Sequence, residues 1–329
     1  MDVSFVTQTR DVTDRCYLHY IETCQEFGCN ICFMAVRPVS EVLRQNLAGF
    51  TPAERKVARE LLADYPRAGL ETVARLAQRA DVSAPSVVRL VTKLGYNGFP
   101  DFQEHLRQEV AARSKSALAQ YTDRPPHPPD DSPPHGGVLA RAEEVLTVGI
   151  RQTFEAVPPD RLVAAVNLIC DPARRVFTIG GRFSGHAAGY LNAHLQLLRP
   201  TSAAVPGEAM DRAALLLDIG RRDVVIAYDF RRYQHDIVAF GLAAQGQGAA
   251  LIVFTDPWLS PLAVNADVVF PCTVTAPSPF DSLSPALAMT EALIAAVIDR
   301  LGDTSRRRIE RFESLQRDLT PQTDSGDSP

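Results

Sequence analysis

The sequence predicts a two-part chain: an α-helical helix-turn-helix domain followed by a doubly wound α/β domain on a five-stranded parallel sheet. Three observations carry this. Helical periodicity governs the chain from about residue 40 to residue 119, a proline-rich stretch then interrupts every period, and beyond it short apolar runs alternate with helical segments. With 329 residues, 46% of them hydrophobic and 22% charged, the chain is long enough to bury about two cores.

Residues 1–34 show no clean period and read as a leader, disordered or arising from an over-extended start. Cys16, His19, Cys24, Cys29 and Cys32 are of the donor type zinc prefers, but no second Cys-x-x-Cys pair completes the spacing of a common zinc site, so no metal is expected. The six cysteines are irregularly placed and do not form the framework of a disulfide-stapled secreted domain, so the thiols are expected to be reduced. No apolar run approaches the roughly 20 residues that span a bilayer, and the first residues lack the basic, apolar, small-residue order expected of a secretory signal. A cytoplasmic protein without a membrane partner is expected.

From Ser40, Val42, Leu43 and Leu47 mark one helical face. Thr51-Pro52-Ala53-Glu54 then supplies an N-cap, a proline at the first helical position and an acidic first turn. Val57, Ala58, Leu61 and Leu62 stripe that second helix, which ends before Pro66. A third helix is expected over 71–80, a fourth over 84–94 with Gly95 as its left-handed stop, and another over 99–119.

Within this segment Leu76-Ala77, Val82-Ser83, Ser86-Val87-Val88 and Leu90 have the spacing of a helix-turn-helix. Ala77 is small enough for two helices to cross closely, Val82 plugs the turn, and Val87 with Leu90 anchors the second helix from beneath. Asp81 stands where many such turns use glycine, and tolerates the left-handed conformation better than most residues. Ser83 is placed to cap the second helix, with Pro85 and Ser86 in its first turn and Arg89, Thr92 and Lys93 on its outward face. Arginine reads guanine edges bidentately and lysine neutralises phosphate, so Ser83, Pro85, Ser86, Arg89, Thr92 and Lys93 are the candidate DNA contacts. Such hairpins also occur in ordinary bundles, where exposed basic residues are only a solvated face. The charge distribution favours DNA: residues 35–121 hold 13 Lys/Arg against 9 Asp/Glu, in a chain of net charge −5.

The stretch from Pro125 to Gly137 holds six prolines and reads as a stiff spacer. The expected organisation is a leader over 1–34, a helix-turn-helix domain over 35–121, a linker over 122–138, an α/β domain over 139–319 and a disordered tail over 320–329. In the α/β domain, helices over 139–155 and 159–169 precede strands at 176–179, 203–205, 224–228, 251–254 and 268–270, and helices over 284–301 and 304–319 close it.

The first strand runs into Gly180-Gly181-Arg182-Phe183-Ser184-Gly185, a glycine-rich turn opening a helix. Backbone amides at a helix N-terminus, with a hydroxyl nearby, suit a phosphate or carboxylate, although glycines also serve simply to let helix and strand pack. The order is not the Gly-x-Gly-x-x-Gly of a dinucleotide site, and no cofactor is expected.

Together the two halves resemble the RpiR-type transcription regulators, whose N-terminal helix-turn-helix precedes a sugar isomerase (SIS) domain. The resemblance covers roughly residues 38–318. It is most specific at Phe50-Thr51-Pro52-Ala53-Glu54-Arg55, at the helix-turn-helix residues, and at Leu94-Gly95-Tyr96-Asn97-Gly98-Phe99. In the second half it rests on the turn over 180–184, Asp223-Val224-Val225-Ile226, Phe254-Thr255-Asp256 and Ser260-Pro261-Leu262. The resemblance implies a phosphosugar or related metabolite between the glycine-rich turn and a second loop after the third strand, usually Ser-x-Ser-Gly. Here that loop reads Tyr228-Asp229-Phe230-Arg231-Arg232-Tyr233, which lacks the hydroxyl cluster. Arg231 and Arg232 suit either a bidentate clamp on an anion or pairing with surface acids. The candidate ligand set is Gly180, Gly181, Arg182, Ser184, Asp229, Arg231, Arg232 and Ser282.

The expected function is transcription regulation by a homodimer or homotetramer that binds double-stranded operator DNA and responds to a small anionic metabolite. The alternative is a sugar-phosphate isomerase with an accessory helical domain. Isomerisation needs a positioned acid or base, for which Glu208, His186 and His235 are the candidates, and nothing pairs them with a partner. An enzyme is not expected.

Overall fold

A computed structural model describes residues 38–122 and 136–319. The expected leader and tail, and residues 123–135 of the expected linker, lie outside the described residues.

The N-terminal unit is a bundle of helices: α1 (Val39–Asn46), α2 (Pro52–Ala63), α3 (Arg67–Leu70), α4 (Val73–Arg79), α5 (Ala84–Lys93), α6 (Phe99–Ser114) and α7 (Ala117–Thr122). The start of α2 is the capping box its sequence announces. Thr51 Oγ1 accepts from the Glu54 amide, and Glu54 Oε2 accepts from the Thr51 amide at 2.9 Å. The end of α5 is a Schellman motif: the Gly95 amide donates to Thr92 and the Tyr96 amide to Val91, with Gly95 at φ +97°. Leu43, Leu61, Leu76, Leu90, Phe102 and Leu106 are fully buried at the centre of the bundle. Each such side chain stabilises by roughly 1.5–3 kcal/mol relative to exposure. Glu109 on α6 lies buried against the start of α1, accepting from the Val39 amide at 2.8 Å and from the Tyr65 hydroxyl. A carboxylate there answers the unpaired amides and positive end of α1.

Two local expectations are corrected. The short α3 fills the stretch between α2 and α4, where no helix was expected. The helix expected over 99–119 is two helices. Ser114 Oγ turns back to the Val110 and Ala111 carbonyls, Lys115 is extended at φ −56°, ψ 122°, and Ser116 Oγ accepts from the Ala119 amide to start α7.

The second unit opens with α8 (Gly136–Ala156) and α9 (Pro159–Cys170). Its sheet contains β1 (Arg175–Gly180), β2 (Ser202–Ala204), β3 (Asp223–Tyr228), β4 (Ala250–Thr255) and β5 (Val268–Pro271), all parallel in the order β2-β1-β3-β4-β5. Connecting helices are α10 (Ser184–Leu198), α11 (Ala209–Asp218) and α12 (His235–Gly246), followed by α13 (Ser284–Leu301) and α14 (Asp303–Leu319). The five strands fall where the apolar runs place them. The strands are apolar on both faces because both faces are covered. Val176, Val224, Ile226, Tyr228, Ile252, Phe254 and Phe270 pack against α9, α10 and α13, while Phe177, Ile179, Val225, Ala227, Leu251 and Val253 pack against α12. The outer strands are short, three residues in β2 and four in β5.

Two polar devices fix this frame. Tyr228, fully buried, stacks on Phe254 at 4.3 Å, and its hydroxyl lies 2.7 Å from Thr290 Oγ1, joining β3 to α13. Arg199, 3% exposed, donates to the Ile169 carbonyl at 2.6 Å and to the Asp171 and Arg174 carbonyls, collecting the turn after α9. No helix among the described residues is long and apolar enough to cross a membrane.

Candidate nucleic-acid interface and ligand site

The turn between α4 and α5 has the expected construction. Ala77 and Val87 are buried, the Val82 amide donates to the Ala77 carbonyl at 3.0 Å, and Asp81 takes φ +52°. Ser83 occupies the N-cap of α5 but does not cap it through its side chain: its hydroxyl lies 3.0 Å from Ser86 Oγ. Ser86 is buried, 4% exposed, and also receives Arg89 Nη2 at 2.8 Å. Ser83, Pro85, Arg89, Thr92 and Lys93 are exposed on one side of α5. Val88, 39% exposed on the same helix, was not singled out from sequence because its apolar character reads as core. Lys93 bends back to the Gly49 carbonyl at 3.0 Å and to Glu54 Oε2 at 3.1 Å, and lies over the Phe50 ring. The Thr51 amide, then Lys93, hold the Glu54 carboxyl below the usual range against the opposing effect of burial.

In the second unit β1 and β3 are neighbours whose connections leave toward opposite edges, which makes their C-terminal ends the switch point of the sheet. The structure brings the glycine-rich turn and the loop after β3 together there. Ser184 Oγ donates to the Tyr228 carbonyl at 2.6 Å and accepts from the Gly181 amide at 2.9 Å. The Arg182 amide donates to Gln234 Oε1 at 2.5 Å. The amides that would hold an anion are thus partly answered by Gln234, a residue that no local pattern marks. A side chain on Gly180 would meet the Ser184 and Gly185 backbone at 2.7 Å, so this glycine serves close packing.

The remaining candidates form a second group. Arg231, whose side chain is 4% exposed, binds Asp281 through both Nε and Nη2, and Arg232 Nη2 lies 3.8 Å from the same carboxylate. Arg231 therefore pairs with an acid, one of the two uses open to it from sequence, and the acid lies fifty residues away in the chain. Ser282 Oγ accepts from the Ser284 amide at the start of α13. Asp229 is buried behind these groups, with Ser260 Oγ donating to its Oδ2 at 2.5 Å. Asp256, fully buried, accepts from the Tyr233 hydroxyl at 2.8 Å and the Trp258 amide at 3.0 Å. Burial pushes both carboxyls up to about 6, each against its hydrogen bonds. Tyr233, Gln234, Asp256 and Asp281 are the residues here that sequence reasoning did not select. Glu208, His186 and His235 are exposed and share no side-chain hydrogen bond with another described residue.

Residues 38–113 match the model of the helix-turn-helix domain of the rpiR family, and residues 170–296 match the SIS domain. The HTH-type transcriptional regulator HexR of Escherichia coli K12 is 23% identical over 84% of this chain and 91% of its own. The bifunctional protein glk of Burkholderia mallei is 28% identical over 70% of this chain, which spans 34% of that protein's length. The sugar isomerase domain of the RpiR transcription factor from Sphaerobacter thermophilus, at 24% identity and a TM-score of 0.51, covers 54% of this chain and 98% of its own, and shares the α/β fold. With an rpiR-family helix-turn-helix followed by a SIS domain, the chain belongs to the RpiR-type transcription regulators.

Proposed function

We propose that the chain binds operator DNA through α5 and that a small anionic metabolite, phosphosugar-like or an organic acid, sets its operator affinity from the crevice over β1 and β3. The head extends over 35–121, the spacer over 122–138 and the sensor over 139–319, in a cytoplasmic homodimer or homotetramer that presents paired recognition helices. The observation that carries the reading is the outward face of α5. Ser83, Pro85, Arg89 and Thr92 stand clear of the core, and the Ser86 hydroxyl steadies Arg89 in the first turns of the helix. A helix of this kind reads base edges in the major groove, and a two-fold pair of them reads half-sites a helical turn or its multiple apart.

The anionic effector is supported by the amides of the 180–184 turn at the start of α10 and by the guanidinium groups of Arg231 and Arg232 facing Asp281. A ligand changes operator affinity by no more than its preference for one arrangement of the heads over another. We assign no reaction, because His186, His235 and Glu208 share no side-chain hydrogen bond with another described residue that would serve as a proton-transfer partner.

A gel-shift on the chain's own upstream region tests the DNA reading. Binding should weaken steeply with salt, and Arg89→Ala should cost about 1–3 kcal/mol of base discrimination. A purified oligomer indifferent to every promoter fragment ends the proposal. Calorimetry with phosphosugars and organic acids tests the effector. No heat change, together with operator release unaltered by Arg231→Ala, removes the anion.

A further inference from the structure

The last turn of α6 and the loop after β3 exchange guanidinium contacts across the two units. Arg231 Nη1 donates to the carbonyl oxygen of Ala112 at 2.9 Å. In the opposite direction, the Arg113 guanidinium lies 4.5 Å from the centroid of the Tyr233 ring. Both contacts meet the chain immediately before its break at Lys115. The Ala112 carbonyl accepts one long bond, from the Lys115 amide at 3.4 Å, which leaves it acceptor capacity at the negative end of the helix dipole, where an arginine is the side chain that suits it. The tyrosine face attracts a cation, and its hydroxyl is held on Asp256, which fixes the ring for Arg113.

We infer that this pair of contacts is a latch: Ala112 and Arg113 hold the helical head against the sensor through Arg231 and Tyr233, and an anion binding at Arg231 releases it. The release follows from the donors. Arg231 places Nε and Nη2 on Asp281 and Nη1 on Ala112. An anion gripped in bidentate fashion by Nη1 and Nη2 must displace the Ala112 carbonyl and one carboxylate oxygen together. Ligand and head thus compete for one guanidinium, and each lowers the other's affinity by the same factor. This second step rests on the crevice being the effector site, whereas the latch itself does not.

Hydrogen exchange on the full chain, read by mass spectrometry, separates the two. Arg113→Ala removes the cation without touching a candidate DNA or ligand residue. Exchange should rise roughly three- to tenfold in the 229–234 loop as well as in the last turn of α6, with Arg113→Lys intermediate and the sheet core unchanged. Unchanged exchange in 229–234 overturns the latch. Inorganic phosphate, titrated onto the unmodified chain, is the probe for the second step. It should protect 229–234 while speeding exchange in the last turn of α6. Protection of both segments overturns the competition, and no response in either overturns the anion site while leaving the Arg113→Ala result to judge the latch.

Discussion

Lys93 Nζ lies 3.1 Å from Glu54 Oε2, binding the last turn of α5 to the first turn of α2. The lysine that sequence alone places on phosphate is therefore first a strut inside the head. With Glu54 also accepting from the Thr51 amide, this small network sets how α5 sits on the bundle.

Because the Glu54 carboxyl is held below its usual range, the network contributes stability above about pH 4.5 and loses it as pH falls through the lowered value. Glu54→Gln should cost about 1 kcal/mol at pH 7, with the difference from the unmodified chain fading as pH falls through that lowered value. Thermal melts of both proteins across that range measure it, and a pH-independent difference would show that charge plays no part.

Gly180 and Gly181 are neighbours in one turn and should respond differently to an added methyl. At Gly180 the methyl meets backbone at 2.7 Å, which must shift, so Gly180→Ala should destabilise by about 1–3 kcal/mol. At Gly181 it meets the end of the Gln234 side chain at 2.0 Å, which can swing away. Gly181→Ala should cost under about 1 kcal/mol and free the Arg182 amide. Equal losses in denaturant titrations would contradict this assignment of roles.

The Asp229 and Asp256 carboxyls, raised to about 6 by burial, act on stability in the opposite sense to Glu54. An acid whose native value lies above its unfolded value favours the fold fully below about pH 4, and that advantage is lost as pH rises to about 6. Asp256→Asn keeps an oxygen for Tyr233 and Trp258 and removes a charge whose Oδ2 finds no hydrogen-bond partner among the described residues. The variant should match the unmodified chain near pH 4 and exceed it by about 1–2 kcal/mol at pH 7.5. Urea titrations at the two pH values decide the matter. Destabilisation at pH 7.5 would refute it.

Arg199 offers a planar fork to three carbonyls, a task a single ammonium cannot perform. Arg199→Lys should cost about 2 kcal/mol by leaving buried carbonyls unmet, and calorimetric melting is the check. A neutral result would mean water replaces the lost donors.

What could be read from the sequence follows the range of the interactions. Strands announced themselves through unbroken apolar runs, and the helix-turn-helix through the spacing of Ala77, Val82, Val87 and Leu90, because each of these patterns is local. The stop at Lys115 was not visible, since the apolar pattern continues through Val110 and Leu118, and only the serine hydroxyls of 114 and 116 divert the backbone. Nor did the loop after β3 disclose its partners. Arg231 meets Asp281 and Ala112, fifty and 119 residues away, and Gln234 reaches back to Arg182 across 52. Such pairs depend on the finished sheet, and no periodicity records them.

The brevity of β2 and β5 has a consequence for how copies of the chain meet. An edge of three or four residues, one of them closing on Pro271, presents too few free amides and carbonyls to template another strand. Sheet-to-sheet growth between molecules is thereby disfavoured, so the short edges guard the chain against fibrillar assembly.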